Sequence, residues 1–237
     1  MAKVSKSKAA RPVGEPVDKV PARVPDTRAL FGGSVTVEPV SVARHAGGLW
    51  QCFADSDPEG KLWTYMGYGP FADEAAFREW LAKCEVSADP RFYAIVPRAS
   101  GKAAVMASLM RITPEHGVIE IGNIWFSPGL QRTREATDAL FVMMRHALDE
   151  LGYRRLEWKC DALNAASRRA ALRLGLTFEG IFRQHMVVKG RNRDTAWYAI
   201  LDHEWPRLRT AYQAWLDDDN FDADGGQRKA LSEFIEA

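Results

Sequence analysis

Cysteine is scarce in this 237-residue chain, and the three present, Cys52, Cys84 and Cys160, are odd in number and follow no metal-ligand spacing. Neither a disulfide framework nor a metal site is expected, and a reducing, cytoplasmic setting is the simplest reading. Long apolar runs are missing too: none approaches the ~20 residues of a membrane-crossing helix. The basic N-terminus lacks the apolar stretch of a secretory leader. Charge of one sign is absent overall, with 32 Lys/Arg against 31 Asp/Glu, so no global field draws the chain to nucleic acid or an anionic membrane. No strand leads into a Gly-x-Gly-x-x-Gly turn, which argues against a dinucleotide-binding domain. No internal repeat is visible.

What is present is enough apolar material, 46% of residues, for one substantial core. The charge is unevenly placed. Residues 1–28 carry seven bases against three acids, and residues 201–237 carry nine acids against four bases. Such ends usually stay solvated but can also meet. Residues 29–237 hold 25 bases and 28 acids, a poor match to a nucleic-acid module. The expected organisation is a flexible basic arm over 1–30, one α/β domain over 31–206 and a helical, acidic extension over 207–237.

Along the chain, Val35 to Pro39 alternates as a strand, and Ala43 to Phe53 reads as a helix. Lys61 to Phe71 is a loop rich in glycine and aromatics, and a second helix opens at Ala72-Asp73-Glu74 and runs to about Cys84. Strands are expected over Arg91 to Pro97, Ala103 to Ile112 and Val118 to Phe126. After a long helix, Arg154 to Cys160 should lie parallel to its predecessor, because a helical crossover joins them. A short helix over Ala165 to Leu174 follows, then a hairpin of Thr177 to Val188 and Arg193 to Leu201. Trp205 to Leu216 reads as helix, Asp217 to Gly226 as acidic and loose, and Gln227 to Glu236 as a last short helix.

The clearest stretch is the long helix. Ala136, Ala139, Leu140, Met143, Met144, Ala147, Leu148 and Leu151 form an amphipathic stripe, and Gly152 sits where a helix stops. Its first turn carries Gln131, Arg132, Thr133 and Arg134 instead of core residues. Free N–H groups, partial positive charge and two arginines make that start a site for a phosphate-bearing ligand.

The run Phe126-x-Pro128-x-Leu130-Gln131-x-x-x-x-Ala136 resembles the acetyl-CoA signature of the GNAT superfamily of N-acetyltransferases. There a Gln or Arg is followed by x-x-Gly, then x and Gly or Ala. The branch related to ribosomal-protein N-terminal acetyltransferases is most similar, its Thr-Glu-Ala continuation standing here as Thr137-Asp138-Ala139. The signature's central glycine is Arg134. A second block, Asn164-x-x-Ser167 with Leu174-Gly175-Leu176 and Glu179-Gly180-x-x-Arg183, follows in family order. Asn164 as a helix cap and Gly175 as a helix stop explain those residues singly, but not the order of the two blocks.

The resemblance implies a mixed, mostly antiparallel sheet flanked by helices, whose fourth and fifth strands run parallel and splay apart. The pantetheine arm of acetyl-CoA (CoA) would lie in the gap along Ile124, Trp125, Phe126 and Ser127, whose N–H groups would also polarise the thioester. Gln131, Arg132, Thr133, Arg134, Glu135, Ala136 and Thr137 would hold the pyrophosphate, with Arg168 and Arg169 as further phosphate partners and Asn164 orienting the arm. The implied reaction is acetyl transfer to a primary amine, of a small molecule or a protein N-terminus; the alternative is a CoA-binding protein of this fold without turnover. Relatives are often dimers, so a homodimer is open.

Direct attack needs a proton acceptor for the amine and a donor for the departing thiolate. The resemblance implies Ser167 as donor. For the acceptor, Asp161 comes first, then His185 and Glu120, with Asn123 a further candidate. Glu157, Lys159 and Asp161 share one strand face by period two, with Lys159 where some relatives carry the catalytic Glu. Asp194 reads as part of a hairpin-locking ion pair rather than as a catalyst. Trp63, Tyr65, Tyr68 and Phe71 line the acceptor or merely cover the core.

Overall fold

A computed structural model describes residues 11–54, 56–57 and 59–236. Its centre is an eight-stranded sheet in the order β1-β2-β3-β4-β5-β6-β8-β7. The strands are β1 (Leu30–Phe31), β2 (Val35–Pro39), β3 (Arg91–Pro97), β4 (Val105–Thr113), β5 (Val118–Phe126), β6 (Arg155–Asp161), β7 (Thr177–Val188) and β8 (Arg191–Leu201). All neighbours pair antiparallel except β5 and β6, which are parallel. Every strand expected from the sequence is present, and the two-residue β1 is an addition.

The helices are α1 (Val42–Ala54), α2 (Glu74–Glu85), α3 (Arg134–Arg145), α4 (Ala165–Arg173), α5 (Trp205–Leu216) and α6 (Leu231–Glu236). They divide between the two sheet faces. On one face α3 and α5 pack their apolar stripes against Val35, Tyr93, Ile95, Leu109, Ile121, Leu156 and Ile200. On the other, α1 and α2 cover Phe92, Ala94, Met106 and Trp125. Strand period two sends alternate residues to these two cores. Beyond Arg145 the long helix loosens into a π-helical turn, His146–Glu150, before stopping at Gly152 with φ 80°.

The aromatic loop between α1 and α2 divides its residues. Trp63 is buried, with Tyr68 and Phe71 packed around it, so these three belong to the second core. Tyr65 instead reaches out, its hydroxyl donating to the Leu163 carbonyl at 3.2 Å.

Both terminal segments differ from expectation. Within the segment expected as a flexible arm, residues 1–10 lie outside the described part, residues 11–19 are exposed, and Ala22 to Leu30 dock. Ala22 N–H donates to the Pro114 carbonyl and Arg23 N–H to that of Leu151. Arg28 pairs with Glu150 at 2.5 Å. The acidic stretch after α5 is an ordered turn organised by Asn220, whose side chain donates to the carbonyls of Trp215 and Lys229 and accepts from Lys229 N–H. Only Leu231–Glu236 of the last expected helix is helical. Among the described residues, no helix is long and apolar enough to cross a membrane.

Candidate active site

The pairing of β5 with β6 stops early. Val118 faces Arg155, Ile119 faces Leu156 and Glu120 faces Glu157, and there the ladder ends. β5 nevertheless runs on to Phe126, paired on its other side with β4 as far as Val105↔Phe126. β6 runs on to Asp161, paired on its other side with β8 as far as Thr195. The facing edges beyond Glu120 and Glu157 therefore diverge with no strand between them.

A bulge accompanies the divergence. Between the pairs Ser108↔Gly122 and Met106↔Trp125, Ala107 of β4 faces both Asn123 and Ile124. Asn123 takes φ 51° there, a conformation that asparagine tolerates better than most residues. Its side-chain amide donates to Ser108 Oγ at 3.0 Å, which ties the kink to β4. Met110 Sδ crosses so closely that a Cβ on Gly122 would lie 2.5 Å from it.

Past β5, a single 3₁₀ turn (Pro128–Leu130) and Arg132 at φ 67° reverse the chain into α3. Thr133 caps the helix, its hydroxyl accepting from Ala136 N–H at 3.2 Å. The N–H groups of Arg134 and Glu135, in the first turn, have no partner within the helix. Gln131 folds back, its amide donating to the Phe126 carbonyl. Ile124, Trp125, Phe126 and Ser127 thus border the gap, and Gln131 through Thr137 form the turn beside it.

Two of the arginines expected to meet phosphates hold partners within the fold. Arg134 leans onto the C-terminal extension, pairing with Asp218 at 2.7 Å. Arg168 donates to the Tyr198 hydroxyl at 3.1 Å and to the Ala162 carbonyl, and lies over Phe178, which ties it to β8 and the loop after β6. Arg169 is exposed. Arg173, which sequence reasoning missed, donates to Thr137 Oγ1 at 3.1 Å and lies over Trp215. It stands in the last turn of α4, where a basic residue is common for reasons of the helix alone.

The two faces of β6 carry different chemistry. Trp158 and Cys160 turn toward α4, where Trp158 Nε1 donates to Ser167 Oγ at 3.0 Å. Asn164 caps α4 by accepting from Ser167 N–H at 3.0 Å, so its carbonyl oxygen is spent on the helix. The Cys160 thiol is pushed up by burial, with the Ser167 hydroxyl opposing, and a protonated thiol is no nucleophile.

On the opposite face, Lys159 is buried between Glu157 (2.5 Å) and Glu120 (3.1 Å) and sits 3.9 Å from the Trp197 ring centroid. Arg111 approaches Glu120 at 3.4 Å, and Arg155 bridges Glu157 to Glu179. Burial raises the Glu120 carboxyl despite Lys159 and Arg111. His185 joins this face, its Nδ1 2.9 Å from Thr195 Oγ1. Burial, then Arg111, Arg193 and Lys159, hold the imidazole below its ordinary value. Asp161 lies at the same end of β6, but its Oδ1 accepts from Leu163 N–H and closes a turn. Asp194 accepts from Gln184 N–H at 2.7 Å and from the Asn192 amide at 2.9 Å, so hydrogen bonds rather than the expected ion pair lock the hairpin. The hairpin also reaches across the site: Lys189 Nζ donates to the Trp63 carbonyl at 2.8 Å.

Residues 35–177 match the sequence profile of the acetyltransferase (GNAT) domain. The chain belongs to the GNAT acetyltransferase family. A GCN5-related N-acetyltransferase from Brucella melitensis is 47% identical, with 92% of this chain and 98% of that one covered and a TM-score of 0.89. A GNAT-family chain from Chromobacterium violaceum is 40% identical over 86% of this chain and 100% of its own, with a TM-score of 0.73. The fold is also that of a Salmonella typhimurium acetyltransferase that modifies the N-terminal serine of ribosomal protein L7/L12, at 20% identity, 73% and 99% coverage and a TM-score of 0.63. As a GNAT acetyltransferase, this chain carries the splayed parallel pair and the turn into α3 that the sequence resemblance implied, with β5 and β6 as the pair.

Proposed function

We propose that this GNAT acetyltransferase moves an acetyl group from acetyl-CoA to a primary amine, on a small molecule or a protein N-terminus, by direct attack. The observation that carries the reading is the unpaired gap between β5 and β6 with a turn of free N–H groups at its end. Exposed strand edges must find hydrogen-bond partners, and the amide-bearing arm of CoA supplies them. Ile124 through Ser127 would hold that arm, and Gln131 through Thr137 the diphosphate. Bound there, the cofactor supplies an activated acyl group. N–H groups on the free edge of β5 are placed to stabilise negative charge on its carbonyl oxygen.

The residues on the two sheet faces divide the proton transfers. His185 is the proton acceptor for the amine: it is half-buried, oriented by Thr195 and neutral at pH 7. It displaces Asp161, whose carboxylate is a turn residue, and Glu120, which Lys159 and Arg111 already neutralise. Ser167, across the sheet, holds the proton for the departing sulfur. The Trp158 indole fixes its oxygen, and its hydroxyl hydrogen, now beside the Cys160 sulfur, would turn to the departing thiolate. Attack from one face and departure toward the other suit a gap open between them. Arg173 positions α4 against α3 through Thr137, and Asn164 caps α4. We assign the catalytic unit to residues 31–206, and the three free thiols fit a cytoplasmic setting.

The test is thiol release from acetyl-CoA over a panel of amines and N-terminal peptides. Turnover by the wild-type chain with a loss of roughly a hundredfold in Ser167→Ala, the usual scale of acid–base assistance, is expected. Undiminished turnover in that variant removes Ser167, and no thiol release with any acceptor removes the amine-transfer reading.

A further inference from the structure

Arg134 stands where the family signature carries glycine, and its side chain does not lie over the turn that bears the free N–H groups. It reaches the C-terminal extension, where the guanidinium donates to the Leu216 carbonyl, pairs with Asp218 and lies 4.5 Å from the Phe221 ring centroid. The Asp218 side chain is 92% exposed, so that ion pair contributes little. The hold comes from the carbonyl and the ring face.

The segment so held is cross-tied. Asn220 bridges Trp215 to Lys229, Trp215 Nε1 donates to Gln227 at 3.0 Å, and Phe221 packs edge-on against Trp215 at 5.2 Å. Arg173 fastens the same Trp215 from below, at 5.3 Å, while donating to α3 through Thr137. Between this plate and residues 132–135 lies a groove of about 650 Å³, the size of a small-molecule site. One wall is the turn at the head of α3; the other presents Trp215, Phe221 and the backbone around Gly225. Of the lining carboxylates Glu135, Asp218 and Asp222, Asp218 pairs with Arg134 and Asp222 Oδ1 accepts from the N–H groups of Asp224 and Gly226, whereas Arg132 is exposed and among the described residues pairs with no carboxylate.

We propose that this groove receives the nucleotide end of the acyl-CoA, and that Arg134 is a positioning residue that fastens the C-terminal extension as its outer wall. The inference rests on the acyl-CoA reading above and adds what that reading lacks, a determinant for the nucleotide contributed from outside the signature turn. An aromatic, partly polar wall suits a purine, and Arg132 at the rim suits its phosphates. A glycine at position 134 leaves the plate without its tether to α3, so the groove loses one wall while the β5–β6 gap keeps both.

Calorimetry with CoA and with pantetheine, which has no nucleotide, separates the two regions. Arg134→Gly is expected to weaken CoA binding about tenfold and to shift pantetheine by less than twofold, with Arg134→Lys recovering part of the loss. Phe221→Ala should reproduce the split without altering the signature turn. In the free protein, amide hydrogen exchange over residues 216–228 should speed up in Arg134→Gly, and CoA should slow it in the wild-type chain. Equal weakening of both ligands, weakening of neither, or exchange over 216–228 indifferent to CoA overturns the inference alone. A wild-type chain that binds neither ligand overturns the acyl-CoA reading and this inference with it.

Discussion

His185 suits proton acceptance because of its surroundings more than its own chemistry. Burial lowers its pKa, and three nearby cations, Arg111, Arg193 and Lys159, lower it further. Below the ordinary imidazole value of 6.5, the ring is neutral throughout the physiological range and free to take a proton. The acid limb of kcat/KM is therefore expected below pH 6.5. Burial is the largest cause and the three cations are smaller ones, so raising ionic strength should move that limb only part of the way back toward 6.5. His185→Gln should abolish it along with most of the activity. The same shift affects stability with a definite sign: the unfolded chain takes up the proton first as pH falls below 6.5, so folding loses free energy there. A limb above 6.5, or one that survives in His185→Gln, would remove His185 from the mechanism.

At the scale of elements, the parallel pair is held at its root by charge. Glu120 and Glu157 face each other across β5 and β6, with Lys159 buried against both. Removing one partner of a buried cluster strands the others, at a cost of about 3 to 5 kcal/mol. Lys159→Met should show that loss in urea unfolding at pH 7. The deficit should shrink as pH falls and the stranded carboxyls take up protons; a loss below ~1 kcal/mol at pH 7, the scale of an exposed pair, would mean that the cluster is solvated. Much of this architecture was legible in the sequence. The stripe from Ala136 to Leu151 and the alternation in β2 through β6 are local patterns, and Asn164 announces its helix as a cap, whereas Thr133, read as a first-turn residue, caps α3. The gap was not written in any side chain of its own. It depends on where two ladders end and on Asn123 entering the left-handed region, and only the family resemblance pointed to it. Arg134 was visible as a departure from the signature, but its partner Leu216 lies far along the chain, and no local pattern joins them.

For the whole molecule, the two charged ends turn out to have separate duties. Lys19 comes within 3.9 Å of Asp202, yet the acidic turn after α5 meets Arg134, and the basic segment runs the other way along the sheet. That N-terminal segment closes the far end of the first core. Its backbone donates to Pro114 and Leu151, Ala22 and Leu30 are buried, and Arg28 sits against Glu150 and the buried His146 ring. Net worth of about 1 kcal/mol for each backbone hydrogen bond and ~25 cal/mol for each Å² of apolar surface covered make this strap a structural member. Deletion of residues 1–29 is expected to lower stability by roughly 2 to 4 kcal/mol on those scales, read as a fall in the urea midpoint. Salt distinguishes this from simple charge pairing. The Lys19 and Arg28 pairs are exposed and would be screened at 1 M salt, whereas the backbone bonds and the apolar cover would not. High salt applied to the full chain should therefore reproduce only a small part of the loss. An unchanged midpoint after deletion, or a full loss on adding salt, would show that the segment rests on the domain without holding it together.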